Sequence, residues 1–341
     1  MASPLVIPIF IPHSGCPHRC AFCNQKAITR ENAVLPDAGR IAAVIRQYLR
    51  YKGNRSRVEL GFFGGNFLGL DARQITRLMK DVTPFVDSGA IQGIRFSTRP
   101  DTVTEQGLDL VRSYPVSLVE LGVQTMDDQV LERVNRGHTS DDTRRAMALL
   151  KKQGIPAGVQ VMVGLPEDTR NSMIRTAEIL AGLRPLTARI YPVLVLEKTL
   201  LARWFKNGKY KPLALDRAVE ITAEMFSIFT RAGVTVIRMG LQTSGTHDPE
   251  VIAGPGHPAF GHLVLSRIMY DNIVYKIQDL KDEQTPGQIK LCVHPRFVSR
   301  LRGDKNSNLH HLKAAFPHLD FEIRIDPAMA PDQVDILRCP A

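Results

Sequence analysis

Cys16, Cys20 and Cys23 stand in the run Cys-Pro-His-Arg-Cys-Ala-Phe-Cys, a C-x3-C-x2-C spacing directly after the apolar stretch Leu5–Ile11. Three thiolates this close together can hold three irons of a cuboidal [4Fe–4S] cluster and leave the fourth iron open to a small molecule. Such a cluster would be a reaction centre as well as an electron carrier. The same sulfurs, with His13 or His18 as a fourth ligand, also suit a zinc site. Phe22, between two of the cysteines, would shield a cluster from water or simply pack.

The remaining polar candidates fall at the ends of short apolar runs. Strands are expected at Val6–Ile11, Val58–Phe63, Gly93–Ser97, Ser117–Gly122, Gly158–Val163 and Ala188–Val195. They have the continuous apolar character of strands buried on both faces. Amphipathic helices are expected between them, at Asp37–Arg50, Ala72–Phe85, Thr104–Ser113, Ser140–Lys152 and Asn171–Leu183. Six βα units in series imply parallel strands and an α/β fold, a partial (β/α)6 TIM-like barrel. In such a barrel the chemistry sits at the carboxyl ends of the strands. The cysteines, Gly64-Gly65-Asn66, Ser97-Thr98-Arg99, Glu120 to Gln124, Gly164-Leu165-Pro166 and Arg189 to Tyr191 all fall toward that end.

Each candidate has a plainer alternative. Gly64 and Gly65 let backbone approach a ligand or make a tight strand-to-helix turn. Arg99 is a carboxylate clamp or a surface residue in a turn set by Pro100. Glu120 and Gln124 face a ligand or belong to a hydrogen-bonded layer of barrel core. Arg189 and Tyr191 point into the barrel if strand alternation holds. Arg136-Gly137-His138 is expected to fix a turn rather than to do chemistry.

The chain has 341 residues, 44% of them hydrophobic, enough for one large domain and a smaller one. Five cysteines, three of them within eight residues, fit metal binding in a reducing compartment better than a disulfide framework. Cys292 is expected in the core and Cys339 in the tail. No apolar run reaches the ~20 residues that cross a bilayer, and Pro4–Pro12 lacks the features of a signal peptide; a cytoplasmic location and no membrane partner are expected. The formal charge is +10 and the pI about 9.5. That excess favours a polyanionic partner such as RNA, or is an ordinary solvated basic surface.

Taken together, Cys16 to Cys23, Thr98-Arg99-Pro100-Asp101, Glu120-Leu121-Gly122-Val123-Gln124-Thr125 with Asn135-Arg136-Gly137-His138-Thr139, Val163-Gly164-Leu165-Pro166 and Tyr191-Pro192-Val193-Leu194-Val195 resemble the radical S-adenosylmethionine (SAM) enzymes. Within them they resemble the radical domain of the Elongator catalytic-subunit family, over roughly residues 1–240. The resemblance implies a [4Fe–4S] cluster and SAM as cofactors, and an electron donor such as a flavodoxin or ferredoxin. It implies that Gly64 and Gly65 meet the methionine end of SAM and that Asn66 contacts its amine. Ser97 would bind ribose hydroxyls and Arg99 the carboxylate. Glu120 and Gln124 would meet ribose or substrate, and Phe22, Arg189 and Tyr191 complete the expected cofactor set. That family carries an acetyltransferase domain after the barrel, which 341 residues are too few to include, so acetyl-dependent uridine chemistry is not expected of this chain alone.

The expected domains are a barrel over residues 1–241, a Gly/Pro/His-rich connector over 242–258 and a small α+β extension over 259–341. Ile289–Val293, Pro295–Arg302, Ser307–Phe316 and Phe321–Ile325 give a βααβ order. The short loop Gly303-Asp304-Lys305-Asn306 resembles the backbone clamp of a KH module; a generic cap is the alternative. The leading functional expectation is a radical SAM enzyme acting on RNA, tRNA foremost. A radical enzyme for a small metabolite, and an iron–sulfur or zinc protein without turnover, are the alternatives.

Overall fold

The structure is a computed structural model and describes residues 4–11, 15–23, 34–241, 251–280 and 286–340, with no side chains beyond 338. His13, most of the expected connector (242–250) and the side chain of Cys339 lie outside the described residues. The chain divides into two compact units, Met1–Ala214 with Met225–Gly256, and Leu215–Glu224 with His257–Ala341.

In the first unit, β1 (Leu5–Phe10), β2 (Val58–Phe63), β3 (Gly93–Thr98), β4 (Val116–Gln124), β5 (Ala157–Val163) and β6 (Thr187–Pro192) lie side by side in chain order, all parallel. Beyond β7 (Val195–Leu196), β8 (Thr235–Met239) adds a seventh parallel strand beside β6. The sheet curls into a half-barrel of the expected TIM-like kind, with one strand more than expected. The strands are apolar because both faces are covered. Ile7, Leu60, Phe62, Phe96, Leu121, Val161 and Ile190 are all fully buried. β7 pairs antiparallel with β9 (Val251–Ala253), inside the stretch expected to be connector.

Helices fill the crossovers, and their starts are written in the sequence. In α1 (Ala38–Leu49) the Asp37 carboxylate accepts the Arg40 N–H at 2.8 Å, and Ile41 and Ile45 are buried. In α2 (Ala72–Asp87), Asp71 and Gln74 form a reciprocal capping box. The expected helix Thr104–Ser113 shrinks to α3 (Glu105–Asp109), because Gly107 weakens it and Pro115 forbids its continuation. After α4 (Asp128–Arg133) comes α5 (Ser140–Lys152). It is capped by Thr139 and Asp142, with Asp141 in its first turn and Lys151 and Lys152 in its last, as the helix dipole favours. α6 (Arg170–Gly182), α7 (Leu200–Lys206) and α8 (Leu215–Arg231) follow.

The second unit holds α9 (Phe260–Gln278) and a three-stranded sheet. β10 (Gly287–Val293) is central, parallel to β11 (Leu319–Ile325) and antiparallel to β12 (Val334–Pro340). Between β10 and β11 come α10 (Val298–Arg302) and α11 (Ser307–Ala315), giving the βααβ order with one further strand. Its core is Met269, Ile273 and Ile277 of α9 against Ile289, Leu291, Leu301, Leu312 and Leu319. Cys292 is buried, as expected.

Candidate active site

The carboxyl ends of β1 to β5 surround a cavity of about 540 Å3, within the range of ~300–1,000 Å3 usual for small-molecule sites. Its wall includes Cys16, Cys20, Phe22, Cys23, Gly65, Asn66, Ser97, Arg99 and Gln124, nine of the residues singled out from sequence. His18, Arg19, Thr98, Gly122, Arg136 and Gln160 complete it. Gly64 turns the chain at φ +83° and leaves Gly65 to form the wall. Gln124 also has positive φ, at a register shift between β4 and β5. Such an irregularity re-aims a side chain at the end of a strand.

The cysteine loop is held by the barrel from several sides. Ala21 donates its N–H to Val134 O and accepts from Leu201 N–H, each at 2.8 Å. It packs with Val130, Val134, Leu165, Val193 and Leu201, and Phe22 rests against the same cluster. Cys23 N–H closes a turn onto Cys20 O at 3.1 Å. Among the described residues no three His, Cys, Asp or Glu side chains converge on one ion-sized point. A cluster asks for no such convergence, since each thiolate binds a different iron.

Two guanidinium groups stand over the thiols. Arg136 donates to Cys20 Sγ at 3.4 Å and to Gly122 O at 2.6 Å, while its Nε is buried without a partner. A Cβ on Gly122 would lie 2.9 Å from that guanidinium and would push it aside. Arg99, 2% exposed, is clamped in bidentate fashion by Asp101 at 2.9 and 3.0 Å, and its Nη1 is buried and unpartnered. Burial pushes the Cys16 thiol pKa up, and Arg136 and Arg99 pull it back only in part. His138 is pushed down to about 3 by burial and the same two cations, so it stays neutral.

Asn66 is 1% exposed and its oxygen is engaged within the protein. Its Oδ1 accepts from Thr98 Oγ1 and Arg99 N–H, with Thr102 Oγ1 also 2.9 Å away, and its Nδ2 donates one hydrogen to Gly15 O. Glu120, Arg189 and Tyr191 do not line the cavity. Glu120 Oε1 takes Arg95 Nη2 at 2.7 Å and Arg189 Nη2 at 2.9 Å, and its Oε2 takes Gln160 Nε2 at 3.0 Å. Arg95 reaches Glu59 as well. This is the hydrogen-bonded barrel layer read as the alternative for Glu120. Burial works against the Arg189 cation, but Glu120 and Tyr191 outweigh it and hold its pKa above the ordinary value. Gln160 links that layer to the cavity wall through Ser97 Oγ at 3.4 Å. Arg136, expected only to fix a turn, lines the cavity beside a thiol 116 residues away, a closeness that the sequence does not show. Gln160, alone in an apolar strand, carried the only hint of its own role.

An arrangement of three thiols, two buried orphan N–H donors and a glycine wall suits a metal cluster beside an anionic small molecule. Arg99 Nη1 and Arg136 Nε are buried donors without a partner, on two residues of the cavity wall.

The description "Radical SAM superfamily" matches residues 10–180, and "Radical_SAM C-terminal domain" matches residues 185–270, extending the likeness past residue 240. The chain is 28% identical over 66% of its length to the "tRNA uridine(34) acetyltransferase" of Methanocaldococcus jannaschii, covering 49% of that protein. It is 26% identical over 63% of its length to "Elongator complex protein 3" of Schizosaccharomyces pombe, covering 39% of it. The chain thus spans about half or less of the length of these relatives. Among solved structures, archaeal Elp3 of Methanocaldococcus infernus superposes with a TM-score of 0.61 at 20% identity, over 80% of this chain and 63% of that one. At that identity the likeness is one of fold.

Proposed function

This chain belongs to the radical SAM superfamily, and on that premise we propose that it cleaves SAM reductively and takes a hydrogen atom from an RNA substrate, tRNA foremost. Cys16, Cys20 and Cys23 would hold the [4Fe–4S] cluster. When bound, the reduced cluster supplies the electron that breaks the sulfonium C–S bond, giving methionine and a 5′-deoxyadenosyl radical. The protein's own part is binding and exclusion of water. Arg99 and Arg136 offer their free donors to the SAM carboxylate. Gly65 lets the backbone approach, Ser97, Gln124 and Gln160 offer hydrogen bonds to hydroxyls, and Phe22 dries the cluster side. A single cavity that gathers three thiols and two orphan guanidinium donors carries this reading. The RNA substrate is supported by the tRNA-modifying relatives and by the net charge of +10.

The test is anaerobic reconstitution with iron and sulfide, then dithionite and SAM. The expected product is 5′-deoxyadenosine, absent in Cys20→Ala. Stoichiometric zinc without sulfide in oxygen-free material would overturn the cluster. A lack of any bulk-tRNA gel shift at low salt would turn the reading toward a small metabolite.

A further inference from the structure

Asn66 occupies the place where the superfamily likeness expects a contact to the methionine amine, yet the oxygen that would accept from that amine is already taken. Its oxygen accepts from Thr98 Oγ1 at 2.7 Å and Arg99 N–H at 2.9 Å, which fill the two lone pairs of a carbonyl oxygen. The single proton of Thr102 Oγ1 is within reach of both this oxygen and Arg99 O. Its Nδ2 reaches across 51 residues to Gly15 O at 2.6 Å. Gly15 directly precedes Cys16.

The contact between Gly15 and this corner excludes side chains on both faces. Gly15 sits at φ +79°, and a Cβ there would collide with Asn66 O and with the backbone of Gly69 and Leu70. A Cβ on Gly69 would collide with the Asn66 amide and Gly15 O. Gly69 ends the 3-10 turn Phe67–Gly69, held by its N–H to Asn66 O at 3.0 Å. Phe67 anchors that turn, fully buried between Phe62 and Phe96 with ring centroids 5.0 and 4.5 Å away. The first cysteine is thereby tied through one amide to the ends of β2 and β3. Further pins on the loop, at Cys20 and Ala21, act downstream of Cys16.

We propose that Asn66 is a positioning residue that sets the place of Cys16 through Gly15, and that Gly15 and Gly69 are the bare surfaces on which this latch closes. The proposal rests on Cys16 being a cluster ligand. Asn66 then acts on the cluster's seat, not on SAM.

The latch is measurable without any cofactor. In apoprotein, the alkylation rate of each cysteine, read by peptide mass spectrometry, reports local opening. Asn66→Ala and Gly69→Ala should each speed alkylation of Cys16 by about fivefold, the factor set by one ordinary hydrogen bond, and leave Cys292 unchanged. Reconstituted Asn66→Ala should retain less iron, while its cluster-bearing fraction binds SAM in equilibrium dialysis with the wild-type Kd. An unchanged Cys16 rate in Asn66→Ala overturns the proposal, as does an affinity for SAM about tenfold weaker at full iron content. If Asn66→Ala does not fold, Thr98→Val removes a donor to the Asn66 oxygen and is judged by the same rates. Wild-type protein that takes up no iron and sulfide sinks the cluster reading, and the apoprotein rates still decide the latch.

Discussion

Arg136 reaches the thiol of Cys20 with one arm and the carbonyl of Gly122 with the other, so its position is fixed by β4 rather than by the loop it belongs to. A hydrogen-bonding cation beside a thiolate ligand withdraws charge from it and makes an attached cluster easier to reduce. Arg136→Gln should therefore move the cluster midpoint to a more negative value in an EPR-monitored titration without SAM. A midpoint unmoved by the substitution would show that the guanidinium does not reach the ligand. Arg99 is placed for the other task. Asp101 takes two of its five donors and cancels much of its charge, leaving the Nη1 hydrogens without a partner. The buried Glu120 network stands apart from both. Breaking such a pairing costs roughly 3–5 kcal/mol, because it leaves a buried charge behind. Glu120, Arg95 and Arg189 therefore serve first to hold β3, β4 and β6 in place.

The loop from β5 to α6 carries a strongly shifted carboxyl. Burial raises the Asp168 carboxyl to about 7, and Asp127 adds to the shift, against the bond from Ser172 Oγ and the backbone of Thr169. Tyr210 faces the same spot, its hydroxyl donated to Gly164 O at 2.7 Å and its pKa raised by burial. The folded pKa of Asp168 is above its unfolded value, so the folded state holds the proton more tightly. Its contribution to stability is complete below about pH 4 and is lost as the pH rises through about 7. Asp168→Asn keeps the shape and removes the titration. The expected result is a melting temperature above wild type at pH 8, with the difference shrinking as the pH falls through 7 and closing by about pH 4. A constant difference would mean that the carboxyl is ionised throughout. At this scale the sequence was most readable where one force acts alone. Six strands buried on both faces appear as apolar runs, and helix starts appear as Asp71 with Gln74 or Thr139 with Asp142. β8, written Thr-Val-Ile-Arg-Met, was missed because an edge strand mixes exposed and half-buried residues. Nine of the fifteen wall residues of the cavity were legible, since strand ends point to one mouth. The division of labour inside it was not, because whether Glu120 or Asn66 meets a ligand or another side chain depends on partners 25 to 51 residues away.

The net charge of the whole molecule is unevenly placed. Residues 257–341 hold eleven Lys and Arg against ten Asp and Glu, so nine of the ten excess positive charges belong to residues 1–256. Several cations around the Gly303 loop are also engaged, Arg300 with Asp332 and Lys313 with Asp320. In the barrel unit, by contrast, Lys209 and Lys211 are exposed beside Gly164-Leu165-Pro166, the loop that follows β5 at the cavity end of the sheet. A polyanion drawn to that end releases counterions in proportion to the phosphates it pairs, so the slope of log affinity against log salt counts the contacts. Lys209→Glu with Lys211→Glu should lower that slope for bulk tRNA by about one to two, as two lost phosphate contacts require. Arg302→Glu with Lys305→Glu should change it less. The reverse order in a gel-shift titration from low to moderate salt would give the RNA to the βααβ unit and its short loop instead, and equal slopes for all forms would mean that neither pair touches phosphate.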